Sequence, residues 1–227
     1  MATRRLQGFV LRAVALSAGR DAVTLFSAER GLVAGVARRG KGGGAAWLAP
    51  LTRVSLVMSG KEHQTLGTIR EVSIDQHCTA LGSRWHGLIL LQHLARLLEE
   101  SQAEDQPDEF VYRLVGHTCD YLAGNPPDPA LLPVAIYVEA WLLHFCGVLP
   151  RLPARVLGDG EEARLQRALD TPANRVIFQV KIEDWVAHAL QLESLSGTWQ
   201  VLGGMWARFL SKELETRKPM PVQFDRK

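Results

Sequence analysis

The hydrophobic period of this chain changes once, near Asp75, and that switch limits the possible folds more than any other feature. Before it, apolar residues tend to recur at every second position, the spacing of half-buried strands; after it they recur every three or four positions, the spacing of helices. Strands are read at Phe9–Leu16, Val23–Ser27, Leu32–Arg38, Arg53–Met58 and Thr65–Ile74. Turns separate the first three: Ser17–Asp21 around Gly19, and Ala28–Gly31, where Gly31 sits at a position that favours positive φ. Five short strands in about 75 residues predict a small closed barrel.

Helices are read at Trp85–Glu99 with Ser83 as N-cap, Phe110–Leu122, Pro133–Phe145, Glu161–Leu169, Glu183–Leu192 and Ser196–Leu214. Pro133–Phe145 is apolar nearly all round, which predicts a central helix, and Gly147 is its C-terminal glycine. Arg175–Ile182 alternates like a strand but lies among helices, and it is read as helix. The fold class is therefore α+β: a five-stranded barrel, then an all-α domain, with the boundary at 78/79. The short connection Asp75–Ser83 contains Cys78 and Leu81 and is not a flexible linker, so Leu81 and Trp85 are expected to pack against the barrel.

Charge divides at the same place. Residues 1–75 hold 11 Lys and Arg against 5 Asp and Glu, a net of +6, and the rest hold 15 against 19, a net of −4. A basic β part beside an acidic helical part points to a polyanion at one end. The stretch Glu29–Leu51 concentrates that charge: a strand runs into Arg38, Arg39 and Lys41, set among Gly40, Gly42, Gly43 and Gly44, and closes on Trp47. Such a loop suits close approach to a phosphate backbone, though a solvated hairpin loop has the same composition. Gly35–Gly42 nearly spells a phosphate-binding loop, but Gly42 replaces the hydroxyl that would hold Mg²⁺, and three glycines make a poor helix start. The phosphate-contact candidates are Arg12, Arg38, Arg39, Lys41, Arg53 and Arg70, with Trp47 as a residue that either stacks on a base or joins the core. Arg4 and Arg5 read as a mobile arm or a solvated terminus, and Arg20 and Arg30 as solvated turn residues.

Other classes find little support. No apolar run of about 18 residues marks a membrane span. The opening MATRRLQGF lacks a signal peptide's apolar core, so a cytoplasmic protein is expected. Cys78, Cys119 and Cys146 are widely spaced, which suits buried thiols rather than a disulfide framework or zinc site. The histidines, His63, His77, His86, His93, His117, His144 and His188, form no H-E-x-x-H, and no G-x-S-x-G occurs, so no catalytic activity and no cofactor are expected.

The order of features resembles the bacterial recombination-repair mediator family RecO. The matching words are Gly8-Phe9-Val10-Leu11-Arg12; Val23-Thr24-Leu25-Phe26-Ser27 with Glu29, Gly31 and Val33; Val36-Ala37-Arg38-Arg39-Gly40; Leu48-Ala49-Pro50-Leu51; and, further on, Gly147-Val148-Leu149-Pro150. The resemblance implies an N-terminal OB-fold and a C-terminal helical domain. It implies binding of single- and double-stranded DNA and annealing of complementary strands. It also implies partnership with RecR, contact with the acidic, apolar tail of single-strand-binding protein, help in loading the RecA recombinase, and a nucleoid-associated location. Many family members carry a four-cysteine zinc site after the glycine-proline exit; Leu149–Leu169 contains no cysteine, so zinc is not expected. The protein-binding tail groove is expected in the helical domain, with Arg113 and Arg208 as its cation candidates. The competing reading is a non-catalytic adaptor whose β domain docks a protein; indifference to DNA would favour it.

Overall fold

The computed structural model describes residues 2–17, 19–38, 48–60, 66–149, 177, 178, 180–192, 195–212 and 215–217. The chain divides into two compact units, Met1–Asn125 and Pro126–Lys227.

The first unit opens with five strands: β1 (Ala2–Ser17), β2 (Arg20–Ser27), β3 (Gly31–Arg38), β4 (Arg53–Gly60) and β5 (Leu66–Gln76). They close into a barrel in the order β1-β2-β3-β5-β4. β1 is long because it serves two partners. Its first half pairs with β4 from Ala2↔Gly60 to Phe9↔Arg53, and its second half pairs with β2 from Gly8↔Ser27 onward. A register shift between Val10 and Arg12 lets the strand bend between the two. Arg4 and Arg5 therefore lie in the sheet, opposite Met58 and Val57, rather than on an arm. Charged residues mask the alternation there, so the strand's start is not legible from period alone.

Leu6, Val10, Val23, Leu25, Val33, Ala37, Val54, Leu56, Met58 and Ile69 fill the barrel. Their alternation is the period-two signal of the sequence. β3 meets β5 in parallel over only Ala34↔Leu66 to Val36↔Thr68, which leaves the start of β3 without a strand neighbour on that side. The segment after the first long helix, Trp85–Ser101, covers it: Leu32 N–H donates to the Ala103 carbonyl, and Asp105 N–H to the Leu32 carbonyl. Gly31, at φ 68°, makes this approach possible, because a Cβ there would lie 2.0 Å from the Gln106 carbonyl oxygen. The turn glycine expected at that position is thus required twice, by the hairpin and by the covering segment.

Among the described residues, three helices complete this unit: α1 (Thr79–Gly82), α2 (Trp85–Ser101) and α3 (Glu109–Ala123). Asp108 caps α3, its Oδ1 accepting from the Val111 N–H at 3.0 Å. Ser83 does not cap α2; its hydroxyl donates to the Ala80 carbonyl and closes α1, and Arg84 holds the N-cap position. Leu81 is fully buried, as expected of the connection, but Trp85 is 70% exposed and does not pack against the barrel. The helix begins two residues before Gly87, whose Cβ position lies 2.2 Å from the Leu81 carbonyl, so the helix face touching α1 is the glycine face. Trp85 points elsewhere. Phe9 and Phe26 lie on the barrel's outer side and pack against Tyr112 of α3, at centroid distances of 5.2 and 6.2 Å.

The second unit contains a 3-10 turn (Asp128–Ala130), α4 (Leu131–Phe145), α5 (Ile182–Ala189), α6 (Ser196–Leu210) and a last 3-10 turn (Glu215–Arg217). α4 is buried at twelve of its fifteen positions and is the centre of the unit, as its all-round apolarity predicts. Gly147 follows it at φ 70°, and Val148 N–H donates back to the Leu143 carbonyl. Trp185 of α5 is fully buried and its indole N–H donates to the Pro133 carbonyl at 2.8 Å. The readings of Glu161–Leu169 as helix and of the start of Arg175–Ile182 lie outside the described residues; Ile177 and Phe178 form a turn, and the helix begins at Ile182.

Candidate nucleic-acid interface

The outer face of β1, β2, β3 and β5 is an ordered grid. Register fixes its rows: Arg12, Thr24, Ala34 and Leu66; then Val14, Ala22, Val36 and Thr68. In the next row Arg20 is the direct partner of Arg38. Arg70 follows Thr68 by two residues as Arg38 follows Val36, so both lie just past the last paired positions of β3 and β5. Arg38 and Arg70 line one surface concavity of about 550 Å³ with Ala37, Thr68, Ile69 and Val72. Adjacent strands lie about 4.8 Å apart. Three guanidinium groups are thereby gathered on neighbouring strands, beside the point where β3 leaves the barrel toward residues 39–47.

All three arginines are exposed. Arg20 and Arg38 make no ion pair among the described residues, and Arg70 is oriented by one hydrogen bond, from Nε to Ser59 Oγ at 2.8 Å. Like charges at directly opposed strand positions destabilise a sheet. Neutralisation by an anion would remove that repulsion. The row above, with Ala22, Val36 and Thr68, has short side chains, so a polymer can lie close to the sheet. None of these rows contains an aromatic ring.

The other sequence candidates are placed differently. Arg12 stands on the same face, but its Nε pairs with Glu99 of α2 at 2.8 Å. Arg53 is turned toward α3. Its Nη2 donates to the Gly116 carbonyl at 3.2 Å and meets Asp120 Oδ1 at 3.3 Å, while its guanidinium lies 5.2 Å from the Phe9 ring centre. Arg39, Lys41 and Trp47 lie outside the described residues. Arg113, on α3, sits 5.3 Å from the ring centre of Phe110 and 3.8 Å from Glu109. Arg208 lies on α6 in the second unit, so the two partner-binding candidates belong to different units.

Arg20 is the residue that sequence reasoning missed. Placed in a turn, it read as solvated. The hairpin itself contains the correction: once Ser27 pairs with Gly31 across a three-residue turn, residue 20 must oppose residue 38. The phosphate-loop pattern is likewise resolved by register, because Gly35–Arg38 is continuous strand paired to β2, not a loop leading to a helix. Among the described residues no cluster of three His, Cys, Asp or Glu stands ready for a metal ion, and no helix is long and apolar enough to cross a membrane.

A closed five-stranded barrel of this strand order, followed by helices, is an OB-fold joined to a helical part, a class whose exposed sheet face receives oligonucleotides. Residues 1–77 match the family model described as Recombination protein O N terminal. Over 155 residues the chain is 32% identical to the DNA repair protein RecO of Anaeromyxobacter sp. (strain K) and to that of Anaeromyxobacter dehalogenans (strain 2CP-1), covering 66% of this chain and 59% of each relative. It is 25% identical over 154 residues to the DNA repair protein RecO of Koribacter versatilis, covering 66% of this chain and 61% of that protein. The chain is thus similar to the RecO family, with the family model confined to residues 1–77. The aligned part spans about three fifths of the length of these curated relatives.

Proposed function

We propose that the chain is a DNA-binding recombination-repair mediator whose barrel, residues 1–78, holds DNA, and whose helices, residues 79–227, serve protein partners. The observation that carries this reading is the group Arg20, Arg38 and Arg70: like charges set close together on an exposed sheet, against the preference of the sheet itself. Arg39 and Lys41 follow directly in sequence and carry the same charge, and Trp47 is the stacking candidate of that stretch. The names of the relatives, DNA repair protein RecO, agree with it.

Phosphate contacts supply affinity without choosing sequence. A surface of this kind neutralises two strands at once, and from that follow binding of single- and double-stranded DNA and annealing of complementary strands. Action with RecR, contact with the tail of single-strand-binding protein and loading of RecA belong to the same proposal. For the tail, Arg113 offers a cation beside the exposed Phe110 ring, the chemistry an acidic, apolar peptide needs; Arg208 is the alternative anchor.

The test is the salt dependence of binding to a labelled oligothymidine, followed by fluorescence anisotropy. Each lost phosphate contact lowers the slope of log affinity against log salt by about 0.7 for single strands. Changing Arg20, Arg38 and Arg70 together to alanine is expected to lower the slope by about 2. A folded triple variant with parental affinity and slope would return the adaptor reading to first place.

A further inference from the structure

Glu139, on α4, is completely buried, and a lone buried carboxylate is strongly disfavoured. Its charge is met by Arg217, from the turn Glu215–Arg217. Arg217 Nε donates to Glu139 Oε1 at 2.7 Å and Nη2 donates to Oε2 at 2.8 Å, a two-pronged contact that matches the planar fork of a guanidinium. The same Nη2 donates to the Trp199 carbonyl at 2.6 Å, and the guanidinium carbon lies 3.7 Å from the centre of the Trp199 ring. Gly203, one turn after Trp199 on α6, supplies the space: a Cβ there would lie 1.7 Å from Arg217 Nη1.

Carboxylate, indole face, carbonyl and glycine gap all belong to α4 and α6. The turn that fills this arrangement buries none of its own residues. We propose that Glu139, Trp199 and Gly203 form a guanidinium-binding site within the helical unit, and that the chain occupies it with its own Arg217, making the C-terminal turn a strap that ties α4 to α6. The site selects for shape as well as charge. Lysine carries one point of charge and cannot make the paired contact while lying flat on the indole.

The experiment uses the full chain and three variants, Arg217→Ala, Arg217→Lys and Gly203→Ala, read by thermal melting and by amide hydrogen exchange in α6. Arg217→Ala is expected to lower the melting temperature by roughly 10 °C, the effect of removing one member of a buried ion pair in a chain of this size. Exchange in α6 should accelerate at least tenfold. Methylguanidinium at millimolar concentration should restore much of both, and methylammonium should restore neither. Gly203→Ala, which keeps both charges but fills the gap, should reproduce the loss without rescue. If Arg217→Ala does not fold, Arg217→Lys carries the test, since it retains the charge and should still show accelerated exchange. Parental melting and exchange in Arg217→Lys and Gly203→Ala, or equal rescue by the two cations, would overturn the proposal.

Discussion

Arg53 separates the two jobs an arginine can have in this barrel. It stands in β4, yet its side chain turns away from the sheet face to α3, where it meets the Gly116 carbonyl, Asp120 and the Phe9 ring. The side chain is 28% exposed, so its contacts are partly shielded from water. A hydrogen bond from a charged donor contributes about 1.5–3 kcal/mol, and the 3.2 Å length puts this one at the lower end. The cation–π contact adds about 0.5–1 kcal/mol. Asp120 is 56% exposed, so its ion pair adds about 0–1 kcal/mol after solvent screening. Arg53→Ala is therefore expected to destabilise the first unit by about 2–4 kcal/mol, a fall of about 5–15 °C in its melting temperature. Circular dichroism melting gives the first quantity, and oligothymidine anisotropy at a temperature where the variant is folded gives the second: affinity and salt slope should stay parental. A variant that melts like the parent but loses salt slope would refute this reasoning and make Arg53 a DNA contact after all.

Trp85→Ala should change stability by less than about 0.5 kcal/mol, because surface substitutions away from packed features have small effects, whereas Trp206→Ala, fully buried in α6, should lose about 3–5 kcal/mol by chemical denaturation. Burial pushes the Cys78 thiol up to about 11 and the Cys119 thiol higher still. Both are held neutral in the folded chain, so their contribution is intact below the ordinary thiol range and is lost as pH rises through it. Stability should fall from about pH 9 upward, and a thiol reagent at pH 8 should label Cys146 well before the other two; equal labelling rates would contradict this. A chelator is expected to leave melting unchanged, and stoichiometric zinc by elemental analysis would contradict that.

Most of the barrel is legible in the sequence because its core residues fall on one parity of each strand: Val23 and Leu25, Val33 and Ala37, Val54 and Leu56. β1 is the exception at its start, where Thr3, Arg4 and Arg5 hide a strand that exists only because β4 is there to pair with it. Helix periods are legible for the same reason as strands, but caps depend on local geometry: Ser83 has the right chemistry and closes the wrong helix. The candidate site was half legible. Arg38 and Arg70 stand out as basic residues at strand positions, but their juxtaposition depends on a parallel β3–β5 pairing that local pattern does not reveal. Arg12 and Arg53 look equivalent to them in sequence and differ only in what lies opposite, Glu99 and Asp120, each contributed by a distant helix. Glu139 and Arg217 are 78 residues apart, and nothing local marks them as partners.

Arginine footprinting addresses the central claim most directly. The free protein and its complex with oligothymidine are treated with an arginine-selective dicarbonyl, and modification is read by peptide mass spectrometry. Arg20, Arg38 and Arg70 are exposed and should react readily in the free protein. In the complex all three should be protected together, while Arg113 on α3 should react at its free rate. A saturated complex in which the three arginines on β2, β3 and β5 react as fast as in the free protein would contradict the account.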